Sequence, residues 1–213
     1  MRRLKWLFGI CVSFVYLWGY PVQAQTIEGG SISFHVTHKF KEADWKVRAV
    51  DGENRNVDGS IFWDNAAPLD TTVNIKINMF GFGSANELRD SHMIEAAEAY
   101  LHPYATWEAV AKKVISDKSE GSARTIVLAF AGPFTAIGRS ASLEASVTIR
   151  IEGEKAKVSS DFSFDLGNHM EKLPSLMGFK IANEIPVTVR LEVRLPPPPK
   201  SATSVEPSEE ELR

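Results

Sequence analysis

Most of the chain alternates apolar and polar residues with a period of two, which is the pattern of β-strands that bury one face and expose the other. The alternation is clearest at residues 72–79, where the apolar set is Val73, Ile75, Ile77 and Met79. Other segments of this kind occupy residues 31–38, 44–49, 57–63, 143–152, 158–166 and 185–195, and residues 104–115 and 125–131 are also strand-like. Ala49 falls on the apolar face of the segment 44–49, and residues 51–54 are predicted to form the turn after it. The pattern therefore predicts about eight or nine strands.

Long strands, hairpin-length connections and a single apolar face per strand indicate an antiparallel sheet. Closing such a sheet removes its exposed edges, and a barrel of about eight strands is either just filled or holds one small ligand. We therefore predict an all-β, antiparallel barrel of about eight strands over residues 25–195, with a β-sandwich as the alternative. Alternation alone predicts that the following residues face its interior: Phe34, Val36, His38, Trp45, Ile75, Ile77, Phe162 and Phe164.

Residues 83–107 form one long segment that does not read as strand and is predicted to contain one or two short helices. Ser84 or Asn86 is a suitable helix cap, and Pro103 ends the helical stretch. Within it, Arg89, Asp90 and His92 bring a cation, a carboxylate and an imidazole together. Two interpretations remain open: the charged residues pair and cap backbone groups, or Arg89 and His92 contact the polar end of a ligand at the rim of the barrel.

A second unusual connection, residues 167–183, lacks alternation but carries apolar residues such as Met170, Leu173 and Met177. An apolar loop containing methionine either folds over the mouth of the barrel or fills an irregular gap in the core. Both interpretations place this connection beside the interior.

The two ends of the chain lie outside the predicted barrel. Residues 1–24 combine three cations with an apolar stretch and a Val-Gln-Ala site, which predicts a cleaved secretory signal and a periplasmic protein. Cys11, the one cysteine, would leave with that signal. Residues 196–213 begin with four prolines and continue as an acidic segment with too little apolar surface to fold, so we expect a disordered tail.

Charge and motif content limit the function. Removing the three signal cations from 24 leaves 21 against 27 acidic residues, a formal charge of −6, which is a poor match to nucleic acid. No nucleophile elbow, phosphate loop or His-Glu-x-x-His motif occurs, and His35 and His38 fall on opposite faces of one strand. We therefore predict no catalytic residues, no metal site and no cofactor; for His38 a hydrogen-bonded core position remains the alternative to a ligand contact.

The sequence resembles the YceI-like family of secreted bacterial proteins. The likeness lies in ISFHVTHKF at 32–40, DGSIFWD at 58–64, LRDSHM at 88–93, His102-Pro103 with Trp107, and the closing hairpin within 161–193. A difference occurs at residues 136–140, where the family often has a Gly-Val-Thr turn. The resemblance implies a lipocalin-like barrel whose apolar tunnel binds polyisoprenoid or other long-chain lipids.

These observations predict a periplasmic carrier that sequesters a polyisoprenoid or other long-chain amphiphile, with burial of the chain contributing about 0.8 kcal/mol per CH₂ group. The predicted ligand contacts are the eight interior residues together with Arg89 and His92. A hydrolase or isomerase that uses His38 or His92 as base with Asp90 orienting it is one alternative. A solid-cored interaction module is the other, and the sequence does not determine the oligomeric state.

Overall fold

The computed structural model describes residues 24–40, 43–63, 67–176 and 179–195, and their side chains except those of residues 38–40, 43–48, 175, 176, 179 and 180. The predicted signal and the predicted tail lie outside these residues. In the described part, no helix is long and apolar enough to cross a membrane.

Twelve strands and one α-helix make up the described chain. The strands are β1 Ala24–Phe40, β2 Ala43–Asn54, β3 Val57–Phe62, β4 Thr72–Asn78, β5 Phe82–Gly83, β6 Tyr104–Glu120, β7 Ala123–Ala136, β8 Arg139–Glu152, β9 Lys155–Asp165, β10 Ser175–Leu176, β11 Phe179–Ile181 and β12 Glu184–Arg194. The helix α1 spans Glu87–Ala96, and short 3₁₀ turns occupy Pro68–Asp70, Met79–Gly81 and Leu166–Asn168.

Eight of these strands close into a barrel. The circuit runs β1-β12-β9-β8-β7-β6-β4-β3 and returns to β1, whose first residues pair with β3 through Gln25 opposite Ile61. Each of these pairings is antiparallel. The predicted barrel with one helical insertion is therefore confirmed.

The remaining strands, β2, β5, β10 and β11, lie outside this eight-strand circuit. The second half of β1 pairs with β2 on one side and with β11 on the other, and β5 pairs with the end of β2. The barrel thus has a thicker rim on the side where β1 ends.

Much of the core follows the period-two pattern. On β7, which is apolar without clear alternation, Ile126 and Leu128 are 0% exposed and Phe130 is 1% exposed. Ile75 and Ile77 on β4, which alternation assigns to the interior, are buried in the same cluster. The inward direction predicted for these two isoleucines is confirmed.

One predicted strand had the wrong end and the wrong face. Residues 51–54 were predicted to form a turn but complete β2, and Ala49 is exposed although it was assigned to the interior. The reason is the pairing with β1, which places Val50 opposite Val36 and Gly52 opposite Phe34. A Cβ atom added at Gly52 would lie 2.1 Å from Cζ of Phe34, so glycine makes room for that ring.

The barrel has two distinct ends. The terminal end carries the start of β1 and the end of β12, while the loop end carries α1, the β7–β8 turn and the connection between β9 and β12. At the loop end, Ile137 and Gly138 have φ of 52° and 69°, the left-handed pair of a two-residue hairpin turn. Pairing continues up to Ala136 opposite Arg139, so the departure from the usual family turn leaves the hairpin regular.

Candidate functional site

The Arg-Asp-x-His run lies in α1, which begins after Asn86, whose side chain accepts a hydrogen bond from the backbone N–H of Arg89. Arg89 Nε donates to Ser84 Oγ at 2.7 Å, and Asp90 Oδ1 accepts from the Ser84 backbone N–H at 2.9 Å and from its hydroxyl. The charged pair thus ties the helix to the segment before it, as the structural interpretation predicted. His92 is exposed on the same helix, and a ligand contact by Arg89 or His92 stays a prediction.

A gap opens in the barrel wall between β8 and β9 at the loop end. The two strands pair from Glu152 opposite Lys155 up to Val147 opposite Ser160, where Ser160 Oγ donates to the Ser146 carbonyl oxygen at 2.9 Å. Beyond that point β8 continues to pair with β7, and β9 continues to pair with β12. The two facing edges are therefore left without a shared ladder.

A cavity of about 320 Å³ occupies this gap, a volume at the lower end of the range for small-molecule sites. Its apolar wall consists of Phe134, Leu143 and Phe164. Its polar wall consists of Ser142, Glu144, Ser163, Asp165, Asn168 and His169. One side of the cavity is thus apolar and continuous with the core, and the other side offers hydrogen-bonding groups and two carboxylates.

His169 fixes the inner corner of this cavity. It is 3% exposed, stacks on Phe164 with ring centroids 4.9 Å apart, and meets Phe134 edge to face at 5.4 Å. Its Nδ1 lies 3.0 Å from the backbone carbonyl oxygen of Arg139. A carbonyl oxygen only accepts, so Nδ1 carries a proton and donates, and Nε2 of the neutral ring is an acceptor.

Burial of the interior side chains changes along the barrel axis. Near the terminal end and the middle most of them are fully buried, although Val114, Ile151 and Leu195 are only partly buried. A void there measures only about 10 Å³, no larger than one water molecule needs. At the loop end several inward apolar side chains are only half-buried: Phe34, Val36, Met79, Phe82, Phe134, Leu143, Phe162, Phe164 and Val187. We call these nine residues the apolar ring.

The predicted site residues fall into two groups that differ in how deeply their side chains are buried. Phe34, Val36, Phe162 and Phe164 belong to the apolar ring, whereas Ile75 and Ile77 lie in the tightly packed core. His38 lies on β1 opposite Ile181, and Trp45 falls within β2, but both side chains are outside the described residues. Whether any of these residues contacts a ligand stays a prediction.

The residues that line the cavity were not recognised as a group from the sequence. Phe134 belongs to a strand that continues an apolar stretch with no clear alternation, and Leu143 was read only as an interior residue. His169 lies in the apolar connection that was predicted to fold over the mouth or fill a gap. That connection was the one available signal, because a histidine among apolar residues needs a polar partner.

A second polar group inside the barrel is the indole of Trp107. This side chain is 7% exposed on the inner face of β6, next to Phe130 with ring centroids 6.3 Å apart, and its buried Nε1 has no hydrogen-bond partner among the described residues. Among the same residues, no group of three His, Cys, Asp or Glu side chains is placed to hold a metal ion.

Asp161 anchors β9 to β12 where β9 leaves β8. Its carboxylate accepts hydrogen bonds from Thr188 Oγ1 at 2.6 Å and from Arg190 Nη2 at 3.3 Å. The bond from Thr188, followed by that from Arg190, lowers the pKa of Asp161 below its ordinary value. A lowered folded-state pKa contributes stability above the unfolded-state pKa, and that contribution is lost as pH falls through the folded-state value.

We therefore expect Asp161→Asn to lower the free energy of unfolding at neutral pH by no more than about 1 kcal/mol, because the pair is exposed and screened. The loss should shrink as pH falls through the lowered folded-state pKa of Asp161, because the wild-type carboxylate then also becomes protonated. Urea unfolding at neutral and at acidic pH measures it, with exposed Asp58→Asn as the control. An equal loss of unfolding free energy at both pH values would show that the charge of Asp161 is not the source of the stabilisation.

The fold and the site together define a class of small antiparallel barrels with an apolar, partly open loop end. A YceI-like domain model matches residues 24–193, and the chain belongs to the YceI-like family. None of the curated proteins matches this sequence.

Solved structures share the same fold at low sequence identity. BcnA of Burkholderia cenocepacia is 14% identical with a TM-score of 0.55, covering 76% of this chain and 95% of its own. A polyisoprenoid binding domain from Saccharophagus degradans, implicated in plant cell wall breakdown, is 11% identical with a TM-score of 0.59, covering 81% and 99%. The Campylobacter jejuni YceI protein is 16% identical with a TM-score of 0.53, covering 74% and 92%.

Proposed function

We propose that this protein is a periplasmic carrier that sequesters a polyisoprenoid or another long-chain amphiphilic lipid, with the tail among the apolar ring. The observation that carries the proposal is that half-buried, inward-facing apolar side chains and a cavity at a gap in the barrel wall occur together at the loop end. Membership of the YceI-like family and the fold shared with a polyisoprenoid binding domain support it.

The energy for binding comes from removing the lipid chain from water. Each CH₂ group buried contributes about 0.8 kcal/mol, so a chain needs only the apolar ring and no catalytic group to bind tightly. The packed middle of the barrel has no comparable space, since its void measures about 10 Å³. We therefore propose that the lipid enters laterally between β8 and β9 and displaces ring side chains at the loop end.

The enzyme alternative has less support. It required Asp90 to orient a histidine base, but the described hydrogen bonds of that carboxylate go to Ser84. His92 is exposed on the outer surface of α1. A general base must lie within hydrogen-bond reach of the proton that it removes, and His92 lines neither of the two cavities described above.

Filling the cavity tests the proposal. Leu143→Trp should lower the affinity for a long-chain lipid by at least about tenfold, roughly 1.4 kcal/mol, because the indole would occupy the space between Phe134 and Phe164. Lipid titration measures the affinity, and native mass spectrometry of protein purified from the periplasm identifies the bound molecule.

Leu69→Trp is the matched control, since Leu69 is 50% exposed and lies at the opposite end of the barrel. Equal affinities for both variants and the wild type would refute lipid binding at the loop-end cavity.

A further inference from the structure

The polar wall of the β8–β9 cavity limits which head groups a bound lipid can have. This inference rests on the function proposed above and goes one step further, to the chemical class of the group that the cavity selects. We propose that the cavity holds a head group that donates hydrogen bonds and is not anionic, such as an alcohol, an amide or an amine, and that it discriminates against phosphate esters.

The first argument is the hydrogen-bonding state of His169. Its Nδ1 donates a hydrogen bond to the backbone carbonyl oxygen of Arg139, and the two atoms are 3.0 Å apart. No hydrogen bond of the remaining nitrogen, Nε2, is found among the described residues, and the ring, which is 3% exposed, lines the cavity. In the neutral ring Nε2 can only accept, so a ligand that donates a hydrogen bond is complementary to it.

The second argument is charge. Glu144 on β8 and Asp165 on β9 both line the cavity, one on each side of the gap. Asp165 Oδ1 also accepts from the Gly167 backbone N–H at 3.0 Å, which holds this carboxylate in place. Arg139 lies at the start of β8, and its Nη2 is 3.9 Å from Oε1 of Glu171. The carboxylate of Glu171 therefore balances part of the positive charge of Arg139. A phosphate that enters here meets the exposed carboxylates of Glu144 and Asp165, and like charges brought together at a binding site disfavour the complex.

The third argument is the pair of open strand edges. The edges of β8 and β9 that border the cavity lack a common ladder, so their backbone N–H and C=O groups can bind a neutral polar group. Such groups suit an alcohol or amide, which both donates and accepts. They do not remove the negative charge of Glu144 and Asp165.

Three lipids with one tail provide the test: geranylgeraniol, geranylgeranylamine and geranylgeranyl phosphate, titrated against the full chain at low ionic strength. We expect the alcohol and the amine to bind at least about tenfold more tightly than the phosphate, and the preference to shrink in high salt because charge is screened. Glu144→Gln should raise phosphate affinity and lower amine affinity, each several-fold, so that the preference for the amine over the phosphate shrinks.

Glu152→Gln makes the same charge change on the same strand, at the opposite end of the barrel, and should alter none of the three affinities. His169→Asn tests the acceptor, because an asparagine amide can still donate to Arg139 but lacks the Nε2 position. It should weaken alcohol binding more than phosphate binding.

The outcomes separate the inference from the function on which it rests. Binding of the phosphate as tight as that of the alcohol, or equal effects of the two glutamate substitutions, would overturn the head-group assignment and leave the lipid carrier standing. Failure of all three lipids to bind the wild-type chain would overturn both.

Discussion

Phe130→Ala is expected to lower the free energy of unfolding by about 3–5 kcal/mol, whereas Phe134→Ala on the same strand should cost only about half as much. Both residues lie on β7, four positions apart, and their rings face the interior of the barrel. Phe130 is 1% exposed and packs on Trp107, so its removal leaves a cavity that the surrounding closed wall cannot fill. Phe134 is half-buried and already borders open space, so less contact is lost.

Urea denaturation of the two variants measures this difference directly. Phe62→Ala is the control, because Phe62 is 40% exposed near the terminal end and its truncation should change stability by only about 0.5 kcal/mol. The comparison tests whether the barrel is packed through its middle and loose at the loop end. Equal losses at Phe130 and Phe134 would mean that the loop end is packed as tightly as the middle, which would contradict the apolar ring.

Most of the fold was predictable because period-two alternation reports directly on which face of a strand is buried. Ile75 and Ile77 illustrate this, since each is flanked by polar residues and each is buried. The start of α1 was predictable for a similar reason, because an asparagine cap such as Asn86 has a local function that does not depend on distant residues.

The errors arose where long-range pairing decides the structure. Residues 51–54 contain turn-forming residue types, yet they lie in β2 because Gly52 is needed opposite the Phe34 ring. Alternation also could not show where a ladder ends. The separation of β8 from β9 beyond Val147 depends on the pairing of each strand with its other neighbour, so the cavity and the role of His169 follow from topology.

Linking β8 to β9 across the gap is expected to slow lipid uptake by at least about tenfold, because association is slowed when binding requires a movement that the link prevents. Ser142 and Ser163 are exposed residues on the two sides of the cavity. We would replace both with cysteine and join them with a short, rigid bis-maleimide. The chain has one other cysteine, Cys11, which we would replace with serine so that the reagent has only the two introduced targets.

The control uses the same two strands where their ladder is continuous. Arg150 and Lys157 are directly opposite each other and exposed, so joining cysteines at these positions leaves the gap free. Stopped-flow fluorescence measures the uptake of a labelled lipid by both linked proteins and by the unlinked variants. Lipid loaded before linking should be retained by the Ser142–Ser163 linked protein, because the same movement is needed for release. Uptake at equal rates in the two linked proteins would show that the lipid enters elsewhere, since a closed β8–β9 gap would then be no barrier.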